Sequence, residues 1–66
     1  MTGDIDAPER LLPLAEVMSR VGLRKSKIYA LVAEKRFPRP YKLSPKAARW
    51  SEREVAAWIA EARTAG

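Results

Sequence analysis

LAEVMSRVGLRKSKIYALV, residues 14–32, contains two helical patterns separated by only about three residues. Leu14, Val17, Met18 and Val21 recur at i, i+3, i+4 and i+7, which is one face of a helix, and Pro13 stands where a first turn tolerates a missing N–H. Gly22 is the expected stop, a left-handed residue with Leu23 folding back on the last turn, so the first helix is placed at residues 14–21. Ile28, Leu31 and Val32 then repeat the i, i+3, i+4 spacing. Two short helices joined this tightly must cross steeply, and that is a helix-turn-helix unit.

Working outward, Phe37-Pro38-Arg39-Pro40 ends the second helix, because proline cannot continue one and biases its predecessor to extended geometry. From Tyr41 to Trp50 the period falls to two. Tyr41 and Leu43 alternate with Lys42, Ser44-Pro45-Lys46 supplies turn chemistry, and Ala48 and Trp50 alternate with Arg49. The pattern predicts a short hairpin with Leu43 and Trp50 facing the core and Lys42 and Arg49 together on the open face. Ser51-Glu52-Arg53-Glu54 is a capping box, with Trp50 placed to staple against Val55. Val55, Trp58, Ile59 and Ala62 line the face of a third helix, both tryptophans are expected in the core, and Thr64-Ala65-Gly66 is expected to fray. The expected fold is mainly α with a small β-hairpin: a winged helix-turn-helix of three helices plus a wing. Residues 11–63 form the domain and residues 1–10, MTGDIDAPER, a disordered N-terminal tail too poor in apolar side chains to order itself.

Composition narrows the chemistry. The chain has 66 residues, room for one small domain. It contains neither Cys nor His, which excludes disulfides, thiolate or imidazole zinc sites, and a histidine general base for Ser19, Ser26, Ser44 or Ser51. No Gly-rich phosphate loop and no paired carboxylates in a cleft are visible, and Glu52 and Glu54 are accounted for by the helix start. The reading is therefore no enzymatic activity and no cofactor. Apolar runs fall far short of the roughly 18 residues a membrane span needs, and no signal peptide is apparent, so a cytoplasmic, nucleoid-associated protein is expected.

The formal net charge is +5, and its distribution is more informative than its size. Residues 20–49 carry ten positive side chains against the single carboxylate of Glu34. Segregation of this kind favours a polyanionic partner. Arg24, Lys25, Ser26 and Lys27 crowd the start of the second helix, where backbone N–H groups also point at phosphate. Arg36 and Arg39 flank the helix end, and Lys42, Lys46 and Arg49 sit on the hairpin, where a side chain can reach past the protein surface into a groove. These nine residues are the candidate DNA contacts. Solvated charge is the alternative for each group, and for the hairpin so is a lysine-bearing edge that deters aggregation. Tyr29 is read as partial core or as a stacking or phosphate contact.

The run from Arg10 to Glu61, with its LAEV start, GLRKSKIYALV turn and helix, RFPRPYKL, and RWSEREVAAWI finish, resembles the AlpA family of phage regulators, related to excisionases and to the DNA-binding heads of MerR-type activators. The resemblance implies a second helix in the major groove of double-stranded DNA, a hairpin against flanking DNA, and action on prophage genes. A recombination directionality factor that bends DNA for an integrase is the alternative role, and a protein-interaction adaptor on the same fold is a third. One module is small enough that further copies on adjacent sites are expected. Three positions depart from the family pattern. Arg24 replaces a frequent capping Ser, Ala30 a frequent Arg, and Lys35 a frequent helix-ending Gly, so the second helix is expected to be weakly capped and less sharply ended.

Overall fold

The computed structural model describes residues 10–65. Its elements run β1 (Leu11–Leu12), α1 (Leu14–Val21), α2 (Lys25–Ala33), β2 (Tyr41–Ser44), β3 (Ala47–Ser51) and α3 (Glu52–Ala65). The winged helix-turn-helix expected from the sequence is the fold observed. Pro13 stands just before α1 in extended geometry, and its carbonyl accepts the Glu16 and Val17 amides at 3.0 and 3.1 Å. Gly22 ends α1 at φ 71°, donating its N–H to Met18 O at 2.8 Å. That left-handed geometry is where glycine spares the chain a Cβ penalty.

α2 begins at extended Arg24, which makes no side-chain cap. Its end is sharper than the missing glycine led one to expect. Lys35 takes φ 61° and donates its N–H to Val32 O at 3.0 Å, while the Arg36 N–H reaches back to Leu31 O at 2.8 Å. These two bonds make a Schellman closure with lysine in the glycine position. The hydrogen bonds, rather than the residue preference, decide the backbone there.

The sheet is antiparallel, in the order β1-β3-β2. β1 was not anticipated: two residues carry no alternation to read, and the strand exists because Leu11 and Leu12 pair with Ser51 and Trp50. On the other edge Tyr41 faces Arg49, Lys42 faces Ala48 and Ser44 faces Ala47, so Leu43 is an extra residue, a bulge. This corrects the expected hairpin faces. Leu43 is 60% exposed rather than core, and Lys42 and Arg49 fall on opposite faces, because directly opposed residues share a face and the two have different partners. Strict alternation misassigns a strand as soon as one unpaired residue enters it.

The core is Leu12, Val17, Ile28, Phe37, Trp50 and Val55, with Leu14, Met18, Val21, Leu23, Leu31, Val32, Ala48, Trp58 and Ile59 packed around it. Phe37, read from sequence only as part of a helix stop, is buried. Trp58 is half-buried rather than core, and Ala62, assigned to the same apolar face, is exposed. Trp58 packs edge-on against Phe37 at 4.9 Å and donates its indole N–H to Arg36 O at 2.8 Å. Trp50 donates likewise to Pro38 O at 2.9 Å. The two indoles thus tie down the connector between α2 and β2.

Buried Ser51 caps α3, its Oγ accepting the Glu54 N–H at 3.0 Å. The helix continues through Thr64, whose hydroxyl donates to Ala60 O at 2.9 Å, where fraying was expected. Residues 1–9 of the expected tail lie outside the described residues. Arg10 lies inside them, and its carbonyl accepts the Glu52 N–H at 2.9 Å. Among the described residues no helix is long and apolar enough to cross a membrane.

Candidate nucleic-acid interface

The side chains of α2 divide by helical spacing. Ile28 is buried and Leu31 and Val32 are half-buried, while Lys25, Ser26, Lys27, Tyr29, Ala30 and Ala33 are exposed. Arg24 is exposed as well, so the first turn of α2 presents Arg24, Lys25, Ser26 and Lys27 consecutively to solvent. Tyr29 joins this helix to the wing: its ring meets Trp50 of β3 edge-on, centroids 5.8 Å apart. A rigid aromatic contact of this type fixes where the basic turn lies relative to the hairpin.

The cations fall into two groups. Arg20 donates to Glu16 at 3.2 Å and to Glu52 at 2.9 Å, and Arg10 lies 3.6 Å from Glu52. The bond to Glu16, then that to Glu52, holds the Arg20 guanidinium further above its ordinary pKa. These arginines are neutralised by their neighbours. By contrast, Arg24, Lys25, Lys27, Lys35, Arg39, Lys42 and Lys46 form no ion pair among the described residues. Arg36 is intermediate, 3.8 Å from Glu34 with a 73% exposed side chain.

The hairpin residues differ from one another. Lys42 and Lys46 are exposed, whereas Arg49 is half-buried and donates from Nη1 to its neighbour's carbonyl, Ala48 O, at 3.0 Å. Arg39 and Lys42 line a groove that also contains Lys35, Tyr41 and Glu54, and there the Tyr41 hydroxyl donates to Glu54 at 2.9 Å. Lys35 was absent from the nine candidates. Its only sequence signal is that it stands where a helix-ending glycine belongs, and the left-handed backbone is what turns it toward this groove's rim.

Against this geometry, a family model described as prophage CP4-57 regulatory protein (AlpA) matches residues 10–64. The chain belongs to the AlpA family. The AlpA match begins at Arg10, whose carbonyl is bonded to the start of α3, and ends at Thr64 in its last turn, so it spans the whole described fold. A similar protein is the uncharacterized protein ORF88 of Enterobacteria phage P4, 43% identical over 52 residues. That alignment covers 79% of this AlpA chain and 59% of the phage protein, so the chain spans under two thirds of that relative's length. Of the three departures from the AlpA pattern, Arg24 leaves α2 without a side-chain cap, Ala30 leaves a small exposed residue on its outer face, and Lys35 keeps the helix end intact at the cost of a strained backbone.

Proposed function

We propose that this AlpA-family chain is a sequence-specific double-stranded-DNA-binding regulator of prophage-type genes that lays α2 in the major groove and the β2–β3 hairpin on flanking DNA. The observation that carries the reading is the run of exposed, unpaired cations at the first turn of α2, against the acid-neutralised arginines elsewhere. A major groove is about as wide as one helix, and exposed cations with no internal partner are free to replace phosphate counterions. Lys25, Ser26 and Lys27 take the base edges; Arg24, Arg36, Arg39, Lys42 and Lys46 hold phosphates. Arg49, tied to its own strand, contributes less. A single module buries on the order of 600–1,000 Å², so further copies on adjacent sites supply the rest of the specificity.

Selection of bound sequences from a random duplex pool tests this directly. An enriched motif is expected, with log affinity falling in proportion to log salt at about 0.9 unit per phosphate neutralised. Failure to retain any duplex even at low salt removes the proposal.

Lys35 gives a second test within the same reading. A non-glycine left-handed residue costs about 1–2 kcal/mol, partly offset by glycine's greater freedom in the unfolded chain. Lys35→Gly is therefore expected to stabilise the fold by about 0.5–1 kcal/mol while weakening DNA binding by removing one cation. Thermal melting and fluorescence anisotropy read the two effects separately. A stabilised variant with undiminished affinity shows that Lys35 does not touch the DNA.

A further inference from the structure

We infer that Leu43 is an apolar wedge with which the wing inserts between stacked base pairs and bends the DNA it contacts. The inference rests on the DNA-binding reading and adds to it a chemical role that the basic side chains do not perform. Leu43 is 60% exposed, more than Leu11 at 40%, Tyr29 at 38% or Tyr41 at 48%. It is brought out by a specific backbone device: the bulge between Lys42 and Ser44, which leaves Leu43 with no cross-strand partner in the ladder. Bulges of this kind re-aim a side chain at the cost of regular pairing. Without it, alternation places a leucine at this position on a sheet face beside Tyr41.

The surroundings select the occupant. All four residues of β2 are exposed, and Leu43 is followed by the exposed sequence Ser44-Pro45-Lys46 and preceded by Lys42, with neither lysine ion-paired among the described residues. An apolar side chain between two free cations matches a nucleic-acid groove, where phosphates line the rim and base faces the floor. A second copy of this chain offers a poorer match, because packing wing on wing opposes Lys42 and Lys46 with their own equivalents. Apolar wedges inserted from the minor groove unstack a base step and kink the duplex, most cheaply at flexible pyrimidine–purine steps. Lys42 and Lys46 then hold the phosphates on either side of the opened step.

The test uses the full chain and a duplex of roughly 30 base pairs that the wild-type protein retains, carrying dyes at its ends and 2-aminopurine at individual steps. Wild-type protein is expected to shorten the end-to-end distance and brighten 2-aminopurine at one step, preferentially TA or CA. Leu43→Ser is expected to lose both signals and to bind about three- to tenfold more weakly, since the energy of unstacking and its compensating contacts disappear together. Its melting temperature is expected to match wild type, because the side chain lies outside the core. Leu43→Met keeps the apolar reach and is expected to retain both signals. An unbent, dark complex of the wild-type protein overturns the wedge while leaving DNA binding intact, as does a Leu43→Ser complex that still bends or a Leu43→Met complex that does not. If Leu43→Ser instead abolishes self-association of the free protein in sedimentation, the residue belongs to a contact between copies and the wedge is overturned. If the wild-type protein retains no duplex at all, the DNA-binding reading fails first and the wedge falls with it.

Discussion

Trp50→Ala is expected to leave little or no cooperative unfolding transition. Trp50 is fully buried and is the largest side chain of the core. It pairs with Leu12 across the sheet, meets Tyr29 of α2 edge-on, and holds the Pro38 carbonyl at 2.9 Å. Truncating a buried aromatic of this size costs about 3–5 kcal/mol in forfeited transfer energy and residual cavity. The Pro38 carbonyl is deprived of its donor as well, though water can reach a half-buried connector. At about 0.05–0.15 kcal/mol per residue a chain this short has on the order of 3–10 kcal/mol in total, so the substitution removes half or more of it. Trp58→Ala is expected to cost clearly less, since Trp58 is half-buried and packs mainly against Phe37. Circular dichroism melting of both variants decides the order. If Trp58→Ala is the more damaging, the core is centred on α3 and not on β3.

The helix-turn-helix was legible because its signals are local and strong. Leu14, Val17, Met18 and Val21 repeat over two turns, Gly22 has few alternatives to a left-handed stop, and Ser51 needs only the Glu54 amide three residues on to cap α3. What was not legible is made by distant parts of the chain. β1 exists only through its pairing with β3, and the burial of Phe37 depends on Trp58 arriving from α3. The bulge at Leu43 left no local mark, because Tyr41-Lys42-Leu43 alternates as a regular strand does, and the fault shows only when the strand is set against Ala47–Arg49. Within the candidate site, Arg24 to Lys27 could be grouped because they are consecutive. Lys35 could not be joined to Arg39 and Lys42, since that needs the left-handed turn at the end of α2.

Lys25→Ala and Lys27→Ala are expected to erode sequence discrimination, and Lys42→Ala and Lys46→Ala to erode affinity without it. The two classes follow from where the residues stand. Lys25 and Lys27 lie on the first turn of a helix that Tyr29 pins beside the hairpin, and side chains there meet base edges when the helix enters a major groove. Removing either lysine from its base edge is expected to weaken the preferred duplex by about 1–3 kcal/mol and random duplex by less. Lys42 and Lys46 are exposed on a wing, each a single point charge on a flexible stem, so their contribution is to phosphate. Each substitution there is expected to weaken both duplexes alike and to reduce the salt slope by about 0.9 unit for every phosphate the variant leaves unneutralised. Combining Lys25→Ala with Lys27→Ala is expected to bring the preferred duplex close to the random one, because two neighbouring base contacts supply much of what a single module can discriminate. Fluorescence anisotropy on both duplexes across a salt series measures all of these together. Should the helix variants keep full discrimination while the wing variants forfeit it, the hairpin reads the sequence and α2 only anchors the protein.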